Sequence, residues 1–495
     1  MKPDEGLSTE ERLVKIALSR GIFFKTAETF GDNISGFWEY GPIGLRIFNN
    51  LLSVWRRTLD RIGALEISGS TILPRKVLQA SGHEKKFFDI ATTCGKCGST
   101  YRADKLLETA DPSKSFEGLP DDEYVEALTK YSIKCEKCGE PLRGIKHFGS
   151  MFGLSVGVED DKEVNAYLRP EACQSIFLDF DRVFKVSGKT LPLILAQTGK
   201  TYRNEISPRN ALMRQREFYQ SDIEIFFGGE EKFGIDNDST ISIFDKKNSG
   251  TAPVKISQYL ESGTIESGVA AYALSVFDRF LLELGFDASE IRYRKLYEDR
   301  AFYSKESFDV EVKKGNEWLE VASCNHRGTH DLESYKEYGS SVVEIGGRTP
   351  QVFEVSSGTD RLLYLLLYRS LRSDSEREWF ELNSMLSPFK AAVFPLMPKD
   401  NLDEISRKLK ENSFYSDSML YSETGSIGKR YRRADEIGVK FAFTVDYQSK
   451  EDDTLTVRDR DSMAQFRLKI GDVDKAIRDS AVSGFDSLKE KYSVH

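Results

Sequence analysis

The sequence predicts an α+β protein in which helices flank a mainly antiparallel sheet and a smaller α/β domain follows towards the C-terminus. The length of 495 residues corresponds to about three domains at roughly 100–200 residues each. Apolar and polar residues alternate repeatedly between residues 145 and 361, which is typical of an antiparallel sheet with one face exposed to a site. From Pro388 the pattern predicts a buried strand (Lys390–Phe394), a helix (Asn401–Glu411) and a second strand (Lys440–Tyr447), an alternation that favours a small α/β domain.

The composition is that of a globular enzyme. Hydrophobic residues make up 39% of the chain and charged residues 30%, which is too apolar for a disordered protein. No apolar run approaches the ~18 residues that a membrane-spanning helix needs, so we expect no membrane partner. Met1–Arg12 carries acids and lacks the apolar core of a secretory signal. Six cysteines exclude a disulfide-stapled secreted scaffold, and together these features predict a cytoplasmic protein.

The charge is distributed unevenly along the chain. The formal net charge of −9 argues against a protein that holds nucleic acid by bulk electrostatics, although a local basic patch stays possible. Residues 388–495 contain 19 Lys+Arg and 19 Asp+Glu, so the whole deficit lies upstream. This step predicts a domain boundary near Met385–Pro388. The stretch Gly228–Gly250, rich in glycine and acids, predicts a surface excursion between two ordered parts.

Four of the six cysteines form two matched pairs. Cys94 and Cys97 are separated by 37 residues from a second pair, Cys135 and Cys138, and a glycine follows each pair. Four thiolates in two such turns suit a tetrahedral Zn²⁺ site, which would be structural because no coordination position stays open. A redox Cys-x-x-Cys pair is the alternative. Cys173 and Cys324 are expected to be small buried residues.

Two consecutive strand patterns place polar residues on one side. In Ala196–Glu205 the period of two puts Arg203 and Glu205 together, and in Arg216–Phe227 it puts Phe218, Gln220, Asp222 and Glu224 together. A solvated sheet face with cross-strand ion pairs would explain the charges but not the aromatic ring among them. A flat ring beside arginines suits a nucleotide base and its phosphates.

A third segment agrees with this interpretation. Gln351–Arg361 predicts a strand, a Ser/Gly turn and the start of a helix, with Glu354 and Ser356 on one strand face. Arg361 in the first helical turn would complete an anion site. The chain has neither a complete P-loop nor a Gly-x-Gly-x-x-Gly helix start, so a nucleotide would bind on the sheet.

These segments resemble motifs 2 and 3 of class II aminoacyl-tRNA synthetases, and Glu66–Arg75 resembles motif 1, which forms the dimer interface in that class. More specifically, the chain resembles the homodimeric glycyl-tRNA synthetases. The strings that carry this likeness are Trp38–Gly44, Ser81–His83, Leu168–Glu171, Tyr202–Asn210 and Asp331-Leu332, and towards the C-terminus Gly425–Arg433 and Val457–Asp461.

The resemblance implies the function and the domain plan. The chain would activate glycine with ATP and Mg²⁺, release pyrophosphate, and transfer glycine to the 3′ end of tRNA(Gly), as a homodimer. The class II catalytic domain would comprise residues 1–92 and 146–385, a zinc-knuckle insertion residues 93–145, and the anticodon-binding domain residues 386–495.

The resemblance also implies roles for the matching positions. Arg203, Arg361 and Glu320 would be catalytic. ATP would be bound by Arg203, Asn204, Glu205, Met213, Arg214, Gln215, Arg216, Glu217, Phe218, Glu320, Val321, Gly358, Thr359, Asp360 and Arg361. Glycine would be held by Arg102, Glu171, Phe218, Tyr219, Gln220, Ser221, Asp222, Glu354, Ser356 and Gly358. The tRNA would contact Lys429, Arg430, Arg432, Arg433, Arg458 and Arg460.

The sequence departs from the family pattern in the amino-acid pocket. It has Glu171-Ala-Cys-Gln-Ser175 where the family usually has Glu-Thr-Ala-Gln-Gly, and Asp222 where the family usually has Glu. We expect an altered pocket wall rather than lost function. His326 and His330 beside Cys324 suggest a second metal site, but structural hydrogen-bonded histidines are the favoured interpretation. The basic run Lys429–Arg433 is either a solvated face or an RNA contact, and the matching string favours RNA.

Three other functions compete with a glycine–tRNA ligase. A non-catalytic paralogue would have no reason to keep Arg203, Phe218, Glu320 and Arg361 together. A class II synthetase for another small or polar amino acid disagrees with the acids of the pocket. A zinc-dependent nucleic-acid module explains the cysteines alone.

Overall fold

The computed structural model describes residues 6–31, 34–112, 114, 116, 118–157, 164–188, 190–208, 210–229, 231–236, 238–245, 252–297 and 304–494. Within this part of the chain the α-helices are α1 (Thr9–Ser19), α2 (Pro42–Arg61), α3 (Arg75–Ala80), α4 (His83–Lys86), α5 (Ala103–Ala110), α6 (Asp121–Lys130), α7 (Cys173–Val186), α8 (Ile256–Glu261), α9 (Gly268–Leu284), α10 (His330–Glu337), α11 (Thr359–Ser370), α12 (Leu402–Asn412), α13 (Ile427–Glu436), α14 (Ser449–Asp452), α15 (Val473–Asp479) and α16 (Phe485–Tyr492). Short 3₁₀ turns occupy Glu28–Phe30, Ala211–Met213, Ala288–Glu290, Ser416–Ser418 and Ile470–Asp472.

The strands are β1 (Phe23–Lys25), β2 (Trp38–Tyr40), β3 (Leu65–Ile67), β4 (Ile72–Pro74), β5 (Phe88–Thr93), β6 (Thr100–Arg102), β7 (Lys146–Gly149), β8 (Gly153–Leu154), β9 (Ala166–Leu168), β10 (Leu193–Tyr202), β11 (Glu217–Phe227), β12 (Thr240–Ile241), β13 (Ile243–Phe244), β14 (Val254–Lys255), β15 (Ile291–Leu296), β16 (Ser307–Lys314), β17 (Glu317–Gly328), β18 (Gln351–Gly358), β19 (Leu371–Ser373), β20 (Glu378–Phe380), β21 (Ala391–Pro395), β22 (Met419–Tyr421), β23 (Phe441–Val445), β24 (Thr454–Asp459) and β25 (Gln465–Lys469).

An eight-stranded sheet in the order β13-β15-β16-β17-β18-β11-β10-β3 forms the centre of the molecule. Every pair from β15 to β10 is antiparallel, and only the edge strands β3 and β13 are parallel to their neighbours. Helices α9 and α11 pack on one face, with α2 against α9, and α7 and α10 lie on the other. The predicted antiparallel sheet flanked by helices is therefore confirmed.

The face under α7 and α10 changes character along the strands. Leu193, Leu195, Phe226 and Val352 form an apolar cluster with Phe177 and Phe180 of α7. Two residues further along β11 the same face carries Glu224, and then come Asp222, Gln220 and Phe218, because side chains alternate with a period of two. The same face of the sheet is therefore packed in an apolar core at one end of β11 and polar at the other end.

The cysteine region and the C-terminal region have their own cores. Strands β6-β5-β7 with α5 and α6 enclose a small cluster that includes Leu107, Tyr124 and Leu128. The C-terminal sheet has the order β22-β21-β23-β24-β25, in which β21, β22 and β23 are parallel, and a separate apolar cluster lies beneath it. The predicted small α/β fold is confirmed.

Two local predictions were wrong in part. Ser356, Ser357 and Gly358 do not form a turn, because they pair with β11 and β17 and carry β18 directly into α11. The stretch Gly228–Gly250 is not wholly a surface excursion, because β13 joins the edge of the central sheet and Ile241 and Ile243 are buried. Residues 230, 237 and 246–250 of it lie outside the described residues.

None of the helices in the described ranges has both the length and the apolar character needed to cross a bilayer.

Candidate active site

A cleft of about 690 Å³ opens over the polar end of the central sheet. The residues predicted for ATP or glycine that line it are Arg102, Glu171, Arg203, Glu205, Met213, Arg214, Gln215, Phe218, Tyr219, Gln220, Glu320, Val321, Glu354, Ser356, Gly358, Asp360 and Arg361. Most come from β11, β17, β18 and α11 and the segments beside β10 and β11, as expected from the motifs, whereas Arg102 ends β6 and Glu171 lies between β9 and α7.

Arginine and phenylalanine meet at one end of the cleft. The guanidinium of Arg203 lies 5.6 Å from the ring centre of Phe218 and 5.3 Å from that of Phe87, within cation–π range. Its Nε donates to the carbonyl of Pro170 at 3.1 Å. Arg214 donates to Glu205 at 2.7 Å, which holds a second guanidinium beside the first. This end offers a stacking surface and positive charge, the features that a nucleotide requires.

Arg361 faces the same end from the first turn of α11. Its guanidinium donates to the backbone carbonyl of Glu320 at 2.5 Å, which joins α11 to β17. Glu320 lies across from Glu311 on β16, and Asp309 follows on the same face of that strand. Burial and the neighbouring Glu320 raise the pKa of Asp309 to about 7. Glu320 and Asp309 are oxygen donors of the kind that Mg²⁺ prefers beside phosphates.

Acids with specific partners line the other end. The Glu171 carboxylate contacts His83 Nε2 at 3.2 Å, Gln174 Nε2 at 3.1 Å and Arg203 at 3.3 Å. Burial alone would raise the pKa of Glu171, but His83 and Arg203 outweigh it and hold that pKa well below its ordinary value. The Ser356 hydroxyl accepts from Gln220 at 2.5 Å. This end therefore presents fixed negative charge to a small cationic group.

Arg327 and Asn325 complete this end, and the sequence analysis missed both. Arg327 donates to both oxygens of Glu354 at 3.0 Å and to both oxygens of Asp331 at 2.7 Å. Asn325 donates to Glu354 at 3.0 Å. The period of two along β17 puts Asn325 and Arg327 on one face, so alternation within that string could have identified them.

Several predicted site residues point elsewhere. Ser221 bonds to Thr359 at 2.8 Å and Thr198 at 3.0 Å on the opposite face of β11, so the hydroxyls of Ser221 and Thr359 do not reach the cleft. Glu217 pairs with Lys200 on that same face. The guanidinium of Arg216 donates to the backbone carbonyls of Ser35 and Glu205. Asn204 is not among the lining residues.

Asp360 and Gln215 border the cleft, but their side chains form hydrogen bonds within the protein. The Asp360 carboxylate accepts from Tyr40, from Gln215 at 3.2 Å and from the Tyr219 amide at 2.7 Å. Burial raises the pKa of Asp360 to about 6. This network fixes the start of α11 against β11, and so positions Arg361.

Asp222 lies on the predicted face but beneath the cleft surface, fully buried. Burial and the Glu354 carboxylate raise the pKa of Asp222 well above its ordinary value. Arg102 is also tied to neighbours, through ion pairs with Asp89 and Asp104. Asp222 and Arg102 therefore already interact with charged neighbours before any ligand binds.

The four paired cysteines come together as free thiols. Their Sγ atoms all lie within 4.8 Å of one another, with Cys94–Cys138 and Cys97–Cys135 at 3.5 Å. Gly98 and Gly139 have φ of 72° and 74°, the left-handed backbone that each turn needs. The hydroxyl and amide of Ser99 lower the pKa of Cys97 to about 6. The donor set fits a tetrahedral Zn²⁺ ion.

The two remaining histidines of interest do not form a metal site in the described part of the chain. His326 packs between Phe227 and Phe353 and accepts from the Gly328 amide at 3.2 Å. The groups of potential metal ligands include neither His326 nor His330. For His326 this agrees with the structural role that was favoured.

Three of the six arginines and lysines predicted to contact tRNA are buried, which corrects that prediction. Arg430 donates to the backbone carbonyls of Pro395, Leu396 and Ser422. Arg458 forms a bidentate pair with Asp435 at 2.9 and 3.0 Å, and Arg460 donates to Asp461 and the Gly438 carbonyl. Their guanidinium groups are used to hold the C-terminal fold together. Lys429 and Arg433 on α13 are exposed, and Arg432 is half-buried.

Comparison with known proteins agrees with this geometry. The family model described as tRNA synthetase class II core domain (G, H, P, S and T) matches residues 157–368, and the anticodon binding domain model matches residues 390–480. The glycine–tRNA ligase of Methanothermobacter thermautotrophicus is 31% identical, with 93% of this chain and 97% of that protein covered. The glycine–tRNA ligase of Thermococcus sibiricus is 31% identical, with 95% and 98% covered.

A solved structure shows the same fold. The prolyl-tRNA synthetase of Cryptosporidium parvum, complexed with halofuginone and AMPPNP, matches with a TM-score of 0.62 at 11% identity, covering 99% of this chain and 78% of that one. At that identity the likeness concerns the fold alone. The similarity to the archaeal relatives, which runs over nearly their whole length, shows that the chain belongs to the glycine–tRNA ligase family and is an aminoacyl-tRNA ligase with a class II core.

Proposed function

We propose that this chain joins glycine to ATP as glycyl-adenylate and then transfers the glycyl group to the 3′ end of tRNA(Gly). The observation that supports it most is the division of one cleft into an arginine–phenylalanine end and an acidic end. The first suits the nucleotide and the second suits an ammonium group. Adenylate formation requires both in one cavity.

In the first step the glycine carboxylate attacks the α-phosphorus and pyrophosphate leaves. Phe218 stacks on adenine, Arg203 holds the α-phosphate and Arg361 lies near the γ-phosphate. Glu320 would hold a Mg²⁺ ion, which would supply positive charge beside the phosphates. Charge that develops on the phosphate oxygens is stabilised by fixed guanidiniums, so no side-chain nucleophile is required. In the second step the terminal tRNA hydroxyl attacks the adenylate carbonyl and AMP leaves.

The amino-acid end selects glycine by charge and by size. Glu171 and Glu354 line the end that holds the ammonium, with the Ser356 hydroxyl beside them and Asp222 buried beneath. The buried strands β11, β17 and β18 line this end, so a larger side chain would clash with a packed surface. Exclusion by size can refuse every larger amino acid without an editing site.

The test is ATP–pyrophosphate exchange with purified protein, Mg²⁺ and glycine, alanine or serine. Exchange with glycine alone, followed by charging of tRNA(Gly), is the expected result. Exchange with another amino acid would overturn the specificity. Silence with every amino acid, in folded and zinc-loaded protein, would favour the non-catalytic paralogue.

We further propose the domain plan expected from the sequence, with the catalytic domain in residues 1–92 and 146–385, the insertion in 93–145 and the anticodon-binding domain in 386–495. Separate apolar clusters support it. We also propose a cytoplasmic homodimer. Exposed apolar side chains at Leu65 and Ile72, beside and within the segment that resembles motif 1, support a subunit interface, which sedimentation equilibrium would test.

The four-cysteine cluster is proposed to hold one structural Zn²⁺ per chain. In a Cys97→Ser variant we expect zinc to be lost and the insertion to unfold locally, because metal binding contributes directly to the stability of so small a core. Metal analysis and limited proteolysis within residues 93–145 would show both effects. A Cys173→Ser variant is the matched control and should keep its zinc. A metal-free wild type with Cys94–Cys97 and Cys135–Cys138 disulfides would establish the redox alternative instead.

Lys429 and Arg433, with Arg432, are proposed to contact tRNA phosphates from α13. Each lost phosphate contact should reduce the slope of log K against log salt by about 0.7–0.9. Lys429→Ala should therefore weaken tRNA binding with a shallower salt dependence and leave thermal stability unchanged. Arg458→Ala should instead lower thermal stability and leave the salt dependence of tRNA binding unchanged, because it leaves Asp435 buried beside a single arginine. Equal effects of the two variants on the salt slope would contradict the assignment.

A further inference from the structure

A row of carboxyl groups continues from the cleft into the protein. Asp222 and Glu224 are two residues apart on β11, so both side chains lie on the face under α7, with Glu224 roughly 7 Å further along the strand. Both residues are 0% exposed, and within the described residues their four oxygens have no hydrogen-bond partner. Buried polar groups without partners are rare and need an explanation.

The described groups that face Glu224 do not supply a positive charge to pair with its ionised form. Glu354 lies directly across from it on β18, Asp222 precedes it on β11, Asp331 follows β17, and Cys173 approaches from α7. Among the described residues the cation in reach is Arg327, which donates hydrogen bonds to Glu354 and Asp331. Leu195, which lies across from Glu224 on β10, is apolar. An ionised Glu224 would thus be a buried charge surrounded by other acids.

We propose that Glu224 is held as a neutral carboxylic acid beneath the acidic end of the cleft. A buried carboxyl without a partner is more stable with its proton than as an anion. Burial and the adjacent Glu354 carboxylate raise the pKa of Glu224 well above its ordinary value, in agreement with this geometry.

A divalent cation is the rival explanation. Cys173 Sγ and single oxygens of Glu224 and Glu354 lie within 4.8 Å of one another. However, both oxygens of Glu354 already accept from Arg327, whose positive charge would face such an ion. A proton satisfies Glu224 without displacing that contact.

The first test compares wild type and Glu224→Gln, as full-length protein without substrates, in thermal unfolding between pH 5 and pH 8. Above its ordinary pKa the carboxyl ionises in the unfolded chain but stays neutral in the folded one. Wild type should therefore lose stability relative to the variant as pH rises, by up to about tenfold in the unfolding equilibrium constant per pH unit. A difference that is constant with pH, or that favours wild type at high pH, would overturn the proposal.

The second test uses glycine and metal content. Glu224→Gln should keep the glycine KM in pyrophosphate exchange within about threefold, whereas Glu171→Gln, which removes a charged carboxylate that lines the cleft, should raise it at least tenfold, the loss expected for a charged hydrogen bond. A tenfold rise with Glu224→Gln would make Glu224 a charged ligand instead. A second tightly bound metal per wild-type chain that disappears in Cys173→Ala would also overturn the proposal. If glycine supports no exchange at all, the proposed function fails, while the pH comparison still decides the state of Glu224.

Discussion

Replacing Arg203 with alanine should lower the rate of glycine-dependent pyrophosphate exchange by about 10²–10³-fold, the usual effect of removing one fixed donor from a developing oxyanion. The guanidinium lies between the rings of Phe87 and Phe218 and contacts Glu171, so it links the nucleotide end of the cleft to the amino-acid end. Its loss removes charge from the α-phosphate and a partner from Glu171. We therefore expect kcat to fall and the glycine KM to rise together.

Two further variants separate charge from geometry. Arg203→Lys keeps the charge but loses the planar fork and the stacking, and should recover only part of the rate. Arg182→Ala changes an arginine whose side chain is 84% exposed, and should leave exchange unchanged. Normal exchange in Arg203→Ala, with protein of unaltered melting temperature, would remove Arg203 from the catalytic machinery.

The nucleotide end of this cleft was predictable from sequence because its information is local. A period of two on neighbouring strands placed Arg203 and Phe218 on one side, and the pairing of Thr201 with Phe218 in β10 and β11 bears out that register. The same alternation separates Ser221 from Asp222, so the expectation that both reach glycine ignored a signal already present in the sequence.

The buried partners could not be predicted in the same way. Arg458 and Arg460 alternate with acids in the sequence, a pattern equally compatible with an exposed RNA-binding strand. The burial of Arg458 depends on Asp435 of α13, which Arg377 also joins from between β19 and β20, and Arg460 donates to the Gly438 carbonyl. Contacts between residues 22 to 58 positions apart leave no periodic signal. Arg327 is similar, since its pairing with Glu354 depends on the register between β17 and β18.

Replacing Arg327 with methionine should be the most destabilising single change in the catalytic region. The guanidinium is 4% exposed and is the shared partner of Glu354 and Asp331, so its removal leaves two acids buried in the same space. Breaking a buried ion pair from one side costs about 3–5 kcal/mol. At roughly 2 °C per kcal/mol for a large domain, the melting temperature should fall by about 6–10 °C.

A double-mutant cycle distinguishes loss of a charge partner from loss of packing. Arg327→Met combined with Glu354→Gln removes one of the stranded charges, so the double variant should be more stable than Arg327→Met alone. Both should show a strongly raised glycine KM, because the acidic end loses its arrangement in each. If instead the two substitutions destabilise additively, Arg327 stabilises the fold by packing against Phe177, where its guanidinium lies 5.4 Å from the ring centre, and the electrostatic account of this end of the cleft would fail.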